Sequence, residues 1–266
     1  MTRKSFAVLG DPISHSLSPK IHQAAYEYLN LDYSYRAVQV PSASLADYLS
    51  ANRATYDGFS ITMPLKFEAA AITNNEHLFG TGVANTLVRT EAGWSAYNTD
   101  IAGLSFALEG CFTNSPRKVA ILGAGATSRS ALVSLHNELI REVTVYARDI
   151  EKSANLVDLG KQLGIELKLL SLMEFGFDQD LTINTLPNGA AESLSRAGKQ
   201  EGWLLSANYA GAEPSFTDLF DESKTVSGVE MLLGQAVEQI RLFTADDLDF
   251  TTLNQQDLLL AMRAAL

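Results

Sequence analysis

Several stretches of this chain set residue types at spacings suited to handling anions, protons and hydroxyl groups. The first is Gly123-Ala124-Gly125-Ala126-Thr127-Ser128-Arg129-Ser130. An apolar run over 118–122 precedes it. Ala131, Leu132, Leu135 and Leu139 recur after it at helical spacing over 130–140, and a second apolar run covers 143–147. Strand, glycine turn, helix, strand is the first half of a dinucleotide-binding unit. Gly123 permits the tight turn. Gly125 lets backbone N–H groups approach a pyrophosphate at the helix N-terminus, where the dipole favours anions. Ser128 stands where a third glycine is usual, so a plain tight βα connection stays open as the alternative.

A second stretch, residues 10–19 (GDPISHSLSP), follows a short apolar strand over 5–9 and holds too many turn formers to be a strand itself. Pro19 suits the first position of a helix running to about residue 29, with Ser18 as its N-cap. Two hydroxyls at a helix N-terminus, Ser16 and Ser18, can bind a carboxylate with help from the free N–H groups and the dipole. Capping alone explains Ser18 but not Ser16. Further on, a strand over 57–63 stops at Pro64, and Lys66 lies just past the stop. Ligands collect at strand ends in α/β folds, whereas a solvated surface lysine is the plain alternative. Asn85 and Thr86 are embedded in a strand over 82–88, which pairs through a turn at 91–93 with a strand over 94–98. That strand ends at Asn98-Thr99-Asp100, which reads equally as a helix cap.

An NAD site carries an acidic residue about 20 positions after the glycines, at the end of the second strand. Here Ala147 holds that position and Arg148 follows. A guanidinium without a carboxylate favours a 2′-phosphate, hence NADP over NAD. Lys152, one helical turn on, adds a second cation. Asp149 either repels the phosphate or caps the next helix.

These groups need elements to hold them. The spacing predicts a strand over 33–40, a helix over 42–51 and a helix over 102–108 that leads out of a first domain. A boundary loop covers 110–117. Later strands fall near 180–186, 202–209 and 224–228, and an apolar helix over 229–244 contains Gln235. That glutamine is either a site residue or an ordinary helix-surface residue. A last helix over 254–265 is expected to pack back on the first domain.

The 266 residues, 46% of them apolar, fit one large or two modest domains. With 19% charged residues and no low-complexity tract, the chain is expected to be folded throughout. A net charge of −11 argues against nucleic acid or an anionic membrane as partner, and any anionic ligand needs a local cluster of donors. The single cysteine, Cys111, excludes an intramolecular disulfide and a cysteine metal cluster, and fits a reducing compartment. His15, His22, His77 and His136 share no metal-ligand spacing. Residues 1–6 lead straight into a strand without a signal-peptide core, and no apolar run approaches the roughly 20 residues of a membrane span. A soluble cytoplasmic protein is expected.

Taken together, these stretches resemble the shikimate dehydrogenase (shikimate/quinate dehydrogenase) family. The pieces run in order: residues 10–19, 60–66 (SITMPLK), 82–86 (GVANT), 98–103 (NTDIAG), 123–126 (GAGA), 184–189 (NTLPNG) and 228–236 (GVEMLLGQA). The resemblance implies an α/β fold of two domains with a cleft between them. A Rossmann-type NADP-binding domain would cover 104–235, and a discontinuous α/β substrate-binding domain would cover 1–103 and 236–266. It implies that Lys66 and Asp100 are the catalytic pair and that Ser16 and Ser18 bind the carboxylate of a small-molecule substrate. Thr62, Asn85, Asp100 and Gln235 would hold ring hydroxyls, and Tyr209 would add a substrate contact. Gly123, Ala124, Gly125, Ala126, Thr127, Arg148, Lys152, Asn184, Ala207 and Gly228 would surround NADP, some through backbone atoms only. The implied reaction is the reversible reduction of 3-dehydroshikimate by NADPH in the chorismate branch of aromatic amino-acid biosynthesis, without a metal, by a monomer or homodimer.

The chain departs from the family pattern at named places. Ser60-Ile61-Thr62 replaces Asn-Val-Thr, Ala96 replaces a glycine, and Ala126 replaces the second glycine of a pair. Asp149 replaces a threonine in the Asn-Arg-Thr phosphate clamp, and 210–214 lacks a proline-threonine pattern. These changes bear on cofactor preference and on one wall around the substrate. Rival readings are an NAD-dependent quinate/shikimate dehydrogenase, a non-catalytic sensor of the pathway intermediate, and a dehydrogenase of similar build acting on another small molecule such as a folate. Ala147 opposes the first, retention of both Lys66 and Asp100 the second, and the paired serines with the ring-hydroxyl donors the third.

Overall fold

Strand β1 (Lys4–Gly10) is the apolar segment from which the first half is built, and in the computed structural model it lies between two parallel neighbours. The structure describes residues 3–112, 118–176, 178–191, 194, 199–209 and 214–266. The chain divides into two units, Met1–Asp100 with Leu232–Leu266, and Ile101–Met231. Helices run without a break through both changeover points, so no loop in the sequence marks them.

After β1 come α1 (Ser18–Tyr28), β2 (Tyr33–Gln39), α2 (Leu45–Asn52), β3 (Gly58–Ile61), α3 (Lys66–Ala71), β4 (Asn74–His77), β5 (Thr86–Thr90) and β6 (Gly93–Tyr97). They form a six-stranded sheet in the order β2-β1-β3-β5-β6-β4. β2, β1 and β3 are parallel, β5 is antiparallel to both β3 and β6, and β4 is parallel to β6. Side chains alternate across the sheet. Ala7, Leu9, Phe59, Ile61, Leu87 and Ala96 pack with Leu45 and Leu49 of α2, with Ala69 of α3 and with Leu65, the residue that caps α3.

Several local expectations are corrected. Ser18 is the first residue of α1 rather than its cap; Leu17 holds that place, and the Ser18 N–H donates to Ser16 Oγ at 3.4 Å. Helix α2 starts at Leu45, not residue 42, because Ala43 takes a φ of 62° that no helix accepts. The strand expected over 82–88 begins only at Thr86. Gly82 has a φ of 64°, and the Thr81 hydroxyl closes a turn by donating to the Leu78 carbonyl and accepting from the Val83 N–H. Strand β4 has no apolar alternation and was not legible.

The second unit continues with α4 (Asp100–Leu108), β7 (Val119–Leu122), α5 (Ala126–Asn137), β8 (Glu142–Ala147), α6 (Ile150–Ser153), α7 (Asn155–Gln162), β9 (Glu166–Ser171), β10 (Leu181–Asn184), β11 (Trp203–Ser206), α8 (Pro214–Thr217) and β12 (Thr225–Ser227). Of the expected boundary loop, residues 113–117 lie outside the described residues. Helix α5 opens at Ala126, a turn earlier than the apolar spacing suggested, because the polar residues Thr127 to Ser130 are helical too. β9 was missed, although Glu166-Leu167-Lys168-Leu169 alternates as an edge strand does. The sheet is parallel throughout, in the order β12-β11-β10-β7-β8-β9. Both faces are covered, so β7 is apolar at every position. Val119 and Ile121 join Leu132, Leu135, Val145 and Ile183, while Ala120 and Leu122 join Tyr146, Leu172, Phe175 and Phe216.

Helix α9 (Gly228–Phe243) begins in this unit and runs into the first, where α10 (Gln255–Arg263) follows it. On the sheet face opposite α2 and α3, Phe6 stacks on Phe243 of α9 at 4.5 Å and meets Tyr26 of α1 at 5.9 Å. A Cβ on Gly58 would lie 2.7 Å from the Phe243 ring, so this glycine admits α9 to the sheet. His22 of α1 is fully buried in the same layer and stacks on Tyr35 at 4.0 Å. Its Nδ1–H donates to the Ser18 carbonyl at 2.9 Å, while Nε2 has no partner of good geometry.

Burial lowers the His22 pKa from 6.5 to about 4, so the ring is neutral at pH 7. Between those values the unfolded chain binds a proton that the folded chain does not, so stability falls as pH falls through that window. Denaturant titrations from pH 7 down to pH 4 should show a loss of about 3 kcal/mol from this group. His22→Gln should remove that part of the slope; an unchanged slope would refute the assignment.

Candidate active site

The polar residues of the first unit meet because of strand direction. β1, β3 and β6 run the same way, so the segments that follow them leave the sheet at one edge. Ser16 and Ser18 follow β1, Thr62 and Lys66 follow β3, and Asn98-Thr99-Asp100 follow β6. β5 runs the other way, so the residues at its start, Asn85 and Thr86, lie at that same edge. Backbone bonds fasten the ends together. The Thr62 N–H donates to the Leu9 carbonyl at 2.9 Å, Asp11 to Met63 at 3.0 Å, Ile61 to Asn85 at 2.7 Å and Asn85 to Tyr97 at 3.1 Å.

At this edge Lys66 Nζ donates to Asp100 Oδ2 at 2.6 Å. The pair is withdrawn from water: the side chains are 15% and 5% exposed. The other carboxylate oxygen, Oδ1, accepts from Asn85 Nδ2 at 2.8 Å. Asn85 Oδ1 in turn accepts from the Thr99 N–H at 2.7 Å and from the Thr86 hydroxyl at 3.0 Å. Each charged oxygen is therefore partnered, which a buried carboxylate requires. The surface-lysine alternative for Lys66 fails, and Asp100 is more than a cap. An ammonium held by a carboxylate at a strand end can donate a proton to an adjacent oxygen and stabilise negative charge there.

The remaining first-unit candidates differ in burial and in their own partners. Ser18 is buried and Ser16 half-buried at the N-terminus of α1. Ser16 Oγ accepts from the Ser18 N–H, so it is Ser16, not Ser18, that closes the helix start. Thr62 is half-buried one residue beyond β3. Gln235 is 7% exposed rather than a helix-surface glutamine, and its Nε2 donates to the Leu232 carbonyl at 2.8 Å. Gln239, one turn on, was missed, although two glutamines four apart in an apolar helix share a face. It donates to Thr86 Oγ1 at 2.9 Å. Ser60, a departure from the family pattern, donates to Gln239 Oε1 at 2.8 Å and accepts from the Tyr35 hydroxyl at 2.5 Å.

In the second unit the strand order, read from β9 to β12, is the doubly wound order whose switch point lies between β7 and β10. Gly123 and Thr185 follow those two strands. Gly123 has a φ of 101°, and a Cβ there would fall 2.6 Å from Thr185 Oγ1, so backbone and packing both demand glycine. Gly125, the N-cap of α5, is exposed, and a Cβ on it would meet nothing within 4 Å of the protein. Its smallness leaves the α5 N-terminus open to a close-lying anion, and the N–H groups of that first turn have no intrahelical acceptor. Ala124, Ala126 and Thr127 line the same turn, half-buried. Ser128 fills the third-glycine position without loss: it is fully buried, and its hydroxyl donates to the Gly123 carbonyl at 2.9 Å.

Arg148 is exposed at the end of β8, beside buried Ala147. Asp149 caps α6 by accepting from the Lys152 N–H at 3.1 Å, and also pairs with the Lys152 ammonium at 3.0 Å. Those contacts, the backbone N–H foremost, hold the Asp149 carboxyl below the ordinary range. Asn184 is buried at the end of β10, and its Oδ1 accepts from the Leu186 N–H at 3.1 Å. Ala207 follows β11, and a Cβ on Gly228 would lie 2.7 Å from the Ala207 carbonyl, so Gly228 is set by close backbone approach. Tyr209 is half-buried; residues 210–213, where a departure falls, lie outside the described residues. These groups fit a dinucleotide: an open helix N-terminus for the pyrophosphate and a cation at the second strand end for a ribose phosphate. Among the described residues, no group of three or more His, Cys, Asp or Glu is placed to hold a metal, and no helix is long and apolar enough to cross a membrane.

Residues 8–87 match the family model for the shikimate dehydrogenase substrate binding domain. The chain is 32% identical over 258 residues to the NADP(+) shikimate dehydrogenase of Nitrosopumilus maritimus, covering 90% of this chain and 93% of that protein. The solved shikimate dehydrogenase of Mycobacterium tuberculosis superposes with a TM-score of 0.85 at 31% identity, over 99% of this chain and 100% of that one. A shikimate 5-dehydrogenase from Thermus thermophilus, solved with NADP(H) and shikimate, superposes at 0.80 with 28% identity, over 99% and 100% of the two chains.

Proposed function

This chain belongs to the shikimate dehydrogenase family, and from that premise we propose that it catalyses the reversible reduction of 3-dehydroshikimate to shikimate with NADPH. The observation that carries the reading is the Lys66–Asp100 pair, 2.6 Å apart and largely out of water, with the second Asp100 oxygen held by Asn85. A bound nicotinamide supplies or removes the hydride; the residues of the chain handle the proton and the geometry. In the reducing direction the substrate carbonyl oxygen gains negative charge, and the Lys66 ammonium stabilises it and donates the proton. In the oxidising direction the neutral amine of Lys66 takes the proton from the hydroxyl. Asp100 fixes the Lys66 nitrogen and accepts from a neighbouring ring hydroxyl. Ser16 and Ser18, at the N-terminus of α1, provide hydroxyls and a helix dipole for the substrate carboxylate. Thr62, Asn85 and Gln235 supply further polar contacts to the ring.

The dinucleotide would be held by the Gly123-Ala124-Gly125-Ala126-Thr127 turn, with Asn184, Ala207 and Gly228 at the neighbouring strand ends. Preference for NADP over NAD rests on Arg148 and on the apolar Ala147, which offers nothing to a free ribose 2′-hydroxyl. Lys152 already has Asp149 as partner and contributes less than its charge suggests.

Initial rates of shikimate and quinate oxidation with NADP⁺ and NAD⁺ test the assignment. Shikimate with NADP⁺ should be the fastest pair. Saturable shikimate binding without turnover would make the protein a sensor, and a preference for quinate or NAD⁺ would overturn the substrate or cofactor assignment. Asp100→Asn, close in shape but uncharged, should lower kcat by about 10²- to 10⁴-fold. Unaltered kcat would remove Asp100 from the reaction. Arg148→Ala should raise the KM for NADP⁺ by roughly 10- to 100-fold, the worth of a charge-assisted hydrogen bond. Its KM for NAD⁺ should change little, and equal effects on both would overturn the phosphate role.

A further inference from the structure

Gln239 is 1% exposed on α9, and both ends of its amide are committed. Nε2 donates to Thr86 Oγ1 at 2.9 Å and to the Asn85 carbonyl at 3.2 Å, and Oε1 accepts from Ser60 Oγ at 2.8 Å. The Ser60 oxygen accepts from the Tyr35 hydroxyl. These bonds have one direction. The Tyr35 hydroxyl donates to Ser60, and Ser60 donates to the Gln239 oxygen. The Gln239 N–H donates to Thr86, and the Thr86 hydroxyl donates to Asn85 Oδ1. Asn85 Nδ2 then faces Asp100 Oδ1.

The direction matters because Asn85 has two ends of opposite character. With Nδ2 toward Asp100 it stabilises the carboxylate; reversed, its oxygen would oppose a buried negative charge. A Thr86 oxygen that accepts from Gln239 turns its own proton toward Asn85 Oδ1. A Gln239 side chain that could only accept would draw the Thr86 proton to itself and leave Asn85 Oδ1 to its Thr99 donors alone, one fewer than it has now. Gln239 itself is kept in the donating orientation by Ser60 and Tyr35, which occupy its oxygen.

We propose that Gln239 is a positioning residue: through Thr86 it orients Asn85, and through Asn85 it holds the Asp100 carboxylate that fixes Lys66. The role rests on the dehydrogenase reading of that pair. It is distinct from the part given to Gln235, since Gln239 meets the substrate only through other side chains.

Two variants test it. Gln239→Leu keeps the volume and removes the donor and the acceptor. It should lower kcat for shikimate oxidation by about 10- to 100-fold, the scale of a small misplacement of reacting groups. The KM for NADP⁺ should stay within about twofold of wild type, since the dinucleotide groups are in the other unit. Gln239→Glu carries the readout that a merely structural role would not move. As the neutral acid it can donate to Thr86 and accept from Ser60; ionised, it can only accept. The titratable groups that face it are His22 of α1 and, across Ser60, Tyr35 of β2, so the profile is read against that of Gln239→Glu combined with His22→Gln. Its activity relative to wild type should be highest at the acid end of the pH–rate profile and fall toward that of Gln239→Leu as pH rises. Wild-type rates in Gln239→Leu, or parallel losses in both variants with no difference in pH dependence, would overturn the role while leaving the reaction assigned. Absence of shikimate turnover in the wild type would overturn the dehydrogenase reading, and the role with it.

Discussion

Everything at the working edge of the first unit follows from holding the Asp100 carboxylate almost out of water. A desolvated carboxylate is tolerated only when both oxygens are satisfied, since losing the hydration of an ion costs several kcal/mol. Lys66 satisfies one oxygen and Asn85 the other. Asn85 can donate there only because its own oxygen is occupied by Thr86 and Thr99. The demand passes outward to Gln239, Ser60 and Tyr35, each buried and each needing a donor on one side and an acceptor on the other. The network is therefore as much a consequence of one buried charge as a support for it.

Sheet topology makes that network short. A purely parallel sheet brings a residue to its carboxyl edge only after a full crossover. The first unit inserts β5 antiparallel, so Asn85 at the start of β5 and Asp100 after β6 come to the same edge from a single hairpin, 15 residues apart. The bond from Gln239 to Thr86 spans 153 residues, which is why the chain must return to this unit after building the other. Gly58 marks the same requirement from the packing side: it lets Phe243, and with it α9, close onto the sheet.

How much of this was legible in the sequence depended on whether the signal was local. Strands such as β1, β7 and β8 are continuous apolar runs between turn formers, and Gly123 and Pro64 mark turns by backbone chemistry alone, so these were readable. Strand β4 has no alternation to read, and Ala43 in a left-handed conformation has no sequence signature. The site divides along the same line. Lys66, Asp100, Asn85 and the glycine turn sit in recognisable strings at strand ends. Ser60 read as a departure from the family pattern, because its meaning lies in Tyr35 and Gln239, which are 25 and 179 residues away. His22 read only as a histidine without metal spacing; its burial and lowered pKa are products of the α1–α9 layer.

The cofactor end shows the opposite economy, with few groups and little burial. In a chain of net charge −11, a phosphate needs a local cation. The sequence offered two, Arg148 and Lys152, with an awkward aspartate between them. In the structure Asp149 caps α6 and holds the Lys152 ammonium, so it counters one of the two cations. The pair is exposed, so it is screened by solvent and contributes little to stability. Its effect is on charge distribution: the end of β8 presents the Arg148 guanidinium rather than two equivalent cations. A planar guanidinium can grip a phosphate through two parallel N–H bonds, which an ammonium cannot. Under the proposed preference for NADP, selection for the 2′-phosphate would fall on geometry at Arg148 more than on total positive charge, and the aspartate in the clamp would be compatible with that selection rather than opposed to it.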